Sequence, residues 1–143
     1  MIKAAFFDID GTLLSFKTHR IPASAQQVLD SFHEQGIACV IATGRPTYQM
    51  PDWLFDLGWD AYITLSGQHC FDAEGVYRSC PIDPDDVAVI VDQVAEGRYD
   101  SLCMQGENSF VNRLSERVVT AGSNAGIVYH EEPFERAFDA PVY

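Results

Sequence analysis

Asp8 and Asp10 stand two residues apart at the end of the apolar run Ala4-Ala5-Phe6-Phe7, and Gly11, Thr12, Leu13 and Leu14 follow. In an extended chain, residues i and i+2 point to the same side, so the two carboxylates are expected together. Like charges that close repel unless something positive intervenes. A hard divalent cation with oxygen ligands answers that need, and Mg²⁺ is the natural choice where phosphate takes part. Gly11 and Thr12 let the chain turn sharply, with a backbone N–H able to face an anion. An EF-hand loop also begins D-x-D, but here its register would put Leu13 at the required glycine and His19 at the required glutamate.

These groups need a scaffold that brings them to one place. Residues 3–8 read as a short strand, apolar without alternation, as in a parallel sheet buried on both faces. Ser24 to Gln35 reads as a helix, with a Ser24/Gln27 capping box, an apolar stripe of Ala25, Val28, Leu29 and Phe32, and Gly36 as the stop. "IACVIA" (37–42) is a second strand that runs into Thr43-Gly44-Arg45-Pro46. A short helical stretch broken by Pro51 leads to a third strand, "AYITL" (61–65). The order β-α-β-α-β predicts parallel strands in an α/β fold, half of a doubly wound sheet. Ligands of such sheets bind beyond the carboxyl ends of the strands. Asp8, Asp10, Thr43, Gly44 and Ser66 all fall at those ends.

The grammar changes after Gly67. Residues 69–79 read as a hairpin turning at "DAEG". Asp83 is placed to cap a helix with Pro84 at its first position and Gly97 at its end. A second hairpin is expected around "GEN" (106–108), then a helix from Ser115 to about Ala125. The tail has two prolines and little periodicity. Two regions are therefore expected, 1–81 and 82–143, the second an α+β unit.

The chain has 143 residues, a hydrophobic share of 47% and a net charge of −12. That composition suits a packed core. The charge argues against nucleic acid or an anionic membrane as partner. For an anionic substrate it demands a cation that reverses the local field. No apolar stretch approaches a membrane span and no signal peptide is visible. Cys39, Cys70, Cys80 and Cys103 lack C-x-x-C spacing, which suggests reduced thiols and a cytoplasmic location. Zinc on His69, Cys70 and Cys80 is disfavoured, because neighbours on a strand point to opposite faces. His19 and His33 read as surface residues, and Asp83, Asp85 and Asp86 as a helix cap rather than a metal site.

"FFDIDGTLL" resembles the first signature of the haloacid dehalogenase superfamily, D-x-D-x-[TV], in its phosphatase branch. "IATGRP" (41–46) resembles the second, and "LSGQ" (65–68) adds a likeness to the Cof-type sugar phosphatases, where Ser66 stands at a usual Asn. The resemblance implies a Rossmann-like three-layer α/β/α core with a parallel sheet and an inserted α+β cap. It implies Asp8 as a nucleophile forming an aspartyl-phosphate and Asp10 as general acid and base. It implies Mg²⁺ on Asp8 and on the backbone carbonyl of Asp10. Gly11, Thr12, Thr43, Gly44, Arg45 and Gly67 would surround the phosphate of a small phosphorylated substrate. For Arg45 a surface position is the competing expectation.

The superfamily also uses a lysine and a G-D-x-x-N-D strand end, and the chain contains no such motif and two lysines, Lys3 and Lys17. The expectation is a chain corresponding to the N-terminal half of such an enzyme. Its first strand would then offer an open apolar edge, prone to self-association. Alone, it would bind Mg²⁺ weakly and hydrolyse little. A phosphomutase and a non-catalytic phosphate-binding or dimerising module are the alternatives. A phosphorelay receiver would need its aspartate at the end of strand three, where Leu65-Ser66 stands.

Overall fold

A computed structural model describes residues 1–15 and 21–143. The readings of Lys17 and His19 lie outside the described residues. The chain divides into two compact units, Met1–Ser79 and Cys80–Tyr143.

The first unit is built on a five-stranded sheet in the order β1-β2-β3-β4-β5. Strands β1 (Ala4–Phe7), β2 (Ala38–Ala42) and β3 (Ala61–Thr64) pair in parallel, with Phe7 beside Ile41 and Ile41 beside Tyr62. Strands β4 (His69–Asp72) and β5 (Gly75–Ser79) add an antiparallel hairpin to the far side of β3. The hairpin read from "DAEG" thus extends the same sheet. Its turn is locked by Asp72, whose Oδ1 accepts the N–H of Glu74 at 2.7 Å and of Gly75 at 3.2 Å. Strand β1 lies at the opposite edge, and Phe6 is 63% exposed.

Period-two alternation sorts the strand residues by face. Phe7, Cys39, Ile41 and Tyr62 lie on one face and join a core with Leu29 and Phe32 of α1 (Ala23–Glu34) and Leu54 and Phe55 of α2 (Asp52–Phe55). Helices α1 and α2 therefore form one layer, on that face. Trp59 closes the core and donates its indole N–H to the Leu54 carbonyl at 2.9 Å. Residues His69 and Cys70, paired with Thr64 and Ile63, fall on opposite faces.

Two local expectations are corrected. Helix α1 begins at Ala23 with Pro22 at its N-cap and without a side-chain cap bond, so Ser24 sits inside the first turn and the Ser24/Gln27 box does not form. Pro22 supplies the fixed φ of −63° that starts the helix instead. Val28, expected in the buried stripe, is 44% exposed, and Leu29 carries the burial of that turn. The predicted stop holds: Gly36 has φ 65°.

In the second unit, helix α3 (Pro84–Ala95) buries Val87, Val91 and Val94 against Cys103, Phe110, Phe134 and Ala137. Asp83 caps it, its Oδ1 accepting the N–H of Asp85 at 2.9 Å. Strands β6 (Leu102–Met104) and β7 (Ser109–Val111) form the second hairpin. Helix α4 (Glu116–Ala125) has Ser115 at its N-cap, without a side-chain cap bond, and ends at Gly126. The unperiodic tail is tied in at several points. Its helical turn Phe134–Phe138 packs Phe134 against Phe110 at a ring separation of 5.9 Å. Gln105 donates its carboxamide N–H groups to the carbonyls of Arg136 and Ala140, both at 3.1 Å. Among the described residues, no helix is long and apolar enough to cross a membrane.

Candidate active site

Parallel pairing of β1 with β2 brings their carboxyl ends side by side, since Phe7 and Ile41 are partners one and two residues before Asp8 and Thr43. At the end of β1 the side chains alternate. Asp8 is exposed, Ile9 is fully buried, and Asp10 is partly exposed. Both carboxylates are thus open to solvent at least in part, on either side of the buried Ile9. The buried Ile9, Leu13 and Leu14 hold the turn beneath them. Gly11, at φ 78°, donates its N–H to the Leu14 carbonyl at 2.9 Å, and Leu14 returns one to Ile9 at 2.8 Å. Gly11 and Thr12 form the exposed tip of this turn.

The end of β2 is stitched to the end of β3. The Thr43 N–H reaches the Ile63 carbonyl at 2.9 Å, and the Thr43 carbonyl accepts the Ser66 N–H at 3.1 Å. The Leu65 N–H reaches the Arg45 carbonyl at 3.2 Å. Thr43 is buried, and its Oγ1 accepts the Arg45 backbone N–H at 3.1 Å. A hydroxyl that accepts there retains its own proton to donate. Gly44 is exposed, and a Cβ built on it would meet only Ser66 Oγ, at 3.5 Å. Internal packing therefore leaves room for a side chain at Gly44.

Leu65, Ser66 and Gly67 have φ of 51°, 55° and 96°. Successive positive φ values in two non-glycine residues are costly and concentrate at functional sites. Gly67 presents its carbonyl to Arg78 Nε at 3.0 Å. Neither the strain at Leu65 and Ser66 nor the reach of Arg78 had a signal in the sequence.

The largest departure from expectation is Arg45. It is neither a surface side chain nor free to roam: its side chain is 10% exposed, against 32% for Asp10. Arg45 Nε donates to Asp10 Oδ2 at 2.8 Å and Nη2 to Asp10 Oδ1 at 2.7 Å. Nη1 donates to the Gln49 carbonyl at 2.7 Å. This is a two-pronged guanidinium–carboxylate pair, the strongest geometry available to such groups.

Residues 5–139 match the family of haloacid dehalogenase-like hydrolases. The chain belongs to that family. Relatives of this chain carry phosphatase names. A Streptococcus pyogenes protein, whose name pairs a phosphatase with a peptidyl-prolyl cis-trans isomerase, is 38% identical over 127 residues, 82% of this chain and 27% of the relative. An HMP-PP phosphatase of Enterobacter is 37% identical over 87 residues, 59% of this chain and 32% of the relative. A solved sugar phosphatase of haloacid dehalogenase subclass IIB superposes with a TM-score of 0.82 at 33% identity, over 98% of this chain and 56% of that one. The chain thus spans about half, or less, of the length of these relatives.

Proposed function

We propose that this chain carries the nucleophile half of an Mg²⁺-dependent phosphohydrolase acting on a small phosphorylated metabolite, a sugar phosphate or similar. The observation that carries the reading is the register at the strand ends: Asp8 and Asp10, both open to solvent, follow β1 where Thr43 follows the parallel β2. The phosphatase names of the relatives support it.

Asp8 is exposed and would attack phosphorus through a carboxylate oxygen, forming an aspartyl-phosphate as the bond to the leaving oxygen breaks. Asp10 would give that oxygen a proton. It would then take one from the water that attacks the phosphoryl group, and cleavage of the bond to Asp8 restores the carboxylate and yields inorganic phosphate. Thr43 would donate its hydroxyl proton to a phosphoryl oxygen. The room beside Gly44 and the tip at Gly11 and Thr12 would admit the anion, with Gly67 on the β3 side.

The residues fit Mg²⁺ in part. Among the described residues, no cluster of three or more carboxylate, histidine or cysteine groups gathers to cage a metal. Mg²⁺ asks for less, one or two carboxylates with water and phosphate filling the rest. The Asp8 carboxylate and the Asp10 backbone carbonyl would hold it, because Arg45 engages both side-chain oxygens of Asp10. Bound there, the ion would neutralise charge between nucleophile and phosphate in a chain of net charge −12.

The unit from Cys80 onward would serve as a cap that narrows substrate choice, its division lying at 79/80 where 81/82 was expected. Four free thiols and the acidic surface suit a cytoplasmic enzyme without nucleic-acid or membrane partners. The edge at β1 suits self-association. A second reading, a phosphate-binding module without turnover, is favoured by the engagement of both Asp10 oxygens. Hydrolysis of p-nitrophenyl phosphate separates the two. Slow release that needs Mg²⁺ and disappears in Asp8→Asn is expected. Phosphate binding without release, or equal release by Asp8→Asn, would overturn the enzyme reading.

A further inference from the structure

We propose that Arg45 is the positioning residue of Asp10, and not a contact to the substrate phosphate. The inference rests on the phosphohydrolase reading only for its kinetic part.

Arg45 is held on every side that the structure describes. Its N–H is on Thr43 Oγ1 and its carbonyl accepts from Leu65. Pro46, fully buried, follows it and limits the backbone. Nη1 is anchored on the Gln49 carbonyl at 2.7 Å, which leaves Nε and Nη2 aimed at Asp10 as a fixed fork. A long side chain tied at its backbone and at its far tip does not sweep a cleft. It serves as a template, and the group it templates is the more exposed partner, Asp10.

The consequence for Asp10 is orientation. Two parallel N–H bonds fix the plane of the carboxylate as well as its position. Both its oxygens accept, so the paired form is the proton acceptor, set for the water-attack half of the cycle. To give a proton to the leaving oxygen, Asp10 must carry that proton on one oxygen, which releases one of the two guanidinium N–H groups while the other keeps its hold. The proton moves between Asp10 and the substrate or water oxygen throughout. Arg45 keeps all of its own protons. The sequence pattern concealed this role, because positions 10 and 45 meet only through the parallel register of β1 and β2.

Two measurements test it. The first needs no turnover: the Arg45 Nε–H resonance of the ¹⁵N-labelled full chain, identified by its loss in Arg45→Lys. Slow solvent exchange is expected, accelerated at least about tenfold in Asp10→Asn and unmoved by saturating inorganic phosphate with Mg²⁺. An unchanged resonance in Asp10→Asn, or one shifted by phosphate, overturns the proposal. The second is p-nitrophenyl phosphate hydrolysis by Arg45→Lys, which keeps the charge and loses the fork. kcat is expected to fall about ten- to a hundredfold with KM within about twofold, since a misplaced acid-base group costs rate rather than binding. A raised KM at unchanged kcat overturns it in favour of a phosphate contact. Absence of any Mg²⁺-dependent turnover in the unaltered chain would sink the phosphohydrolase reading, and the resonance would still decide the role of Arg45.

Discussion

The molecule holds two acidic clusters, and they satisfy their charge in opposite ways. Asp83, Asp85 and Asp86 gather at the start of α3, where Asp83 accepts a backbone N–H and the helix N-terminus supplies positive partial charge. Every partner there is local. Asp8 and Asp10 lie just beyond the end of β1, in an exposed turn. Asp10 draws its partner, Arg45, from the next strand end, and Asp8 stands exposed. A cluster answered by its own backbone is structural punctuation. A cluster that needs a cation from elsewhere is available for chemistry.

The widest gap between the clusters should appear in turnover. Asp8→Asn is expected to remove Mg²⁺-dependent hydrolysis while unfolding in urea shifts by no more than about 0.5 kcal/mol, the usual range for an exposed site. A large stability loss in that variant would make Asp8 as structural as Asp83. Next come the glycines of positive φ. Gly67 has open space around a built Cβ but φ 96°, and Gly97, after α3, has φ 74°. Each change to Ala should cost about 1–2 kcal/mol from backbone strain alone, and only Gly67→Ala should also lower activity. Asp83→Ala should then cost about 1 kcal/mol for its lost cap, against about zero for Ser24→Ala, whose hydroxyl caps nothing. Equal losses in both would erase the local character assigned to the α3 cluster.

Invisible at neutral pH, the last effect concerns a buried group that resists charge until well into alkali. Burial pushes the Cys103 thiol up to about 11 from an ordinary 9.0. The unfolded thiol therefore ionises first, and the stability it contributes is complete below about pH 9 and lost as pH rises toward 11. Urea midpoints of the unaltered chain should decline over that window more steeply than those of Cys103→Ala.

Most of the fold was legible because its signals are local. The apolar runs at 4–7, 38–42 and 61–64, the glycine at 36 and the Asp83-Pro84 cap each act within a few residues of where they are read. The capping box at Ser24 misled for the same reason: Pro22, two residues earlier, sets the helix start. In the site, the placing of Asp8, Asp10 and Thr43 at neighbouring strand ends followed from the order of the apolar runs. The Arg45 fork did not, since "TGRP" gives no hint of which strand end lies alongside. Nor did the strained Leu65-Ser66 pair, whose backbone is held by bonds to Thr43 and Arg45 rather than by its own residue types.

The position of β1 at the rim of the sheet has a kinetic side. Its partner β2 lies beyond the whole of α1, with Ala4 matched to Ala38, whereas β4 and β5 meet across a tight turn with Asp72 matched to Gly75. Short loops close first, so the hairpin should zip early and β1 should dock last. Amide deuteration should therefore run inward from β1. The strand that leads into Asp8 would be the first to open, and its outward N–H groups would exchange well before those of β2 and β3.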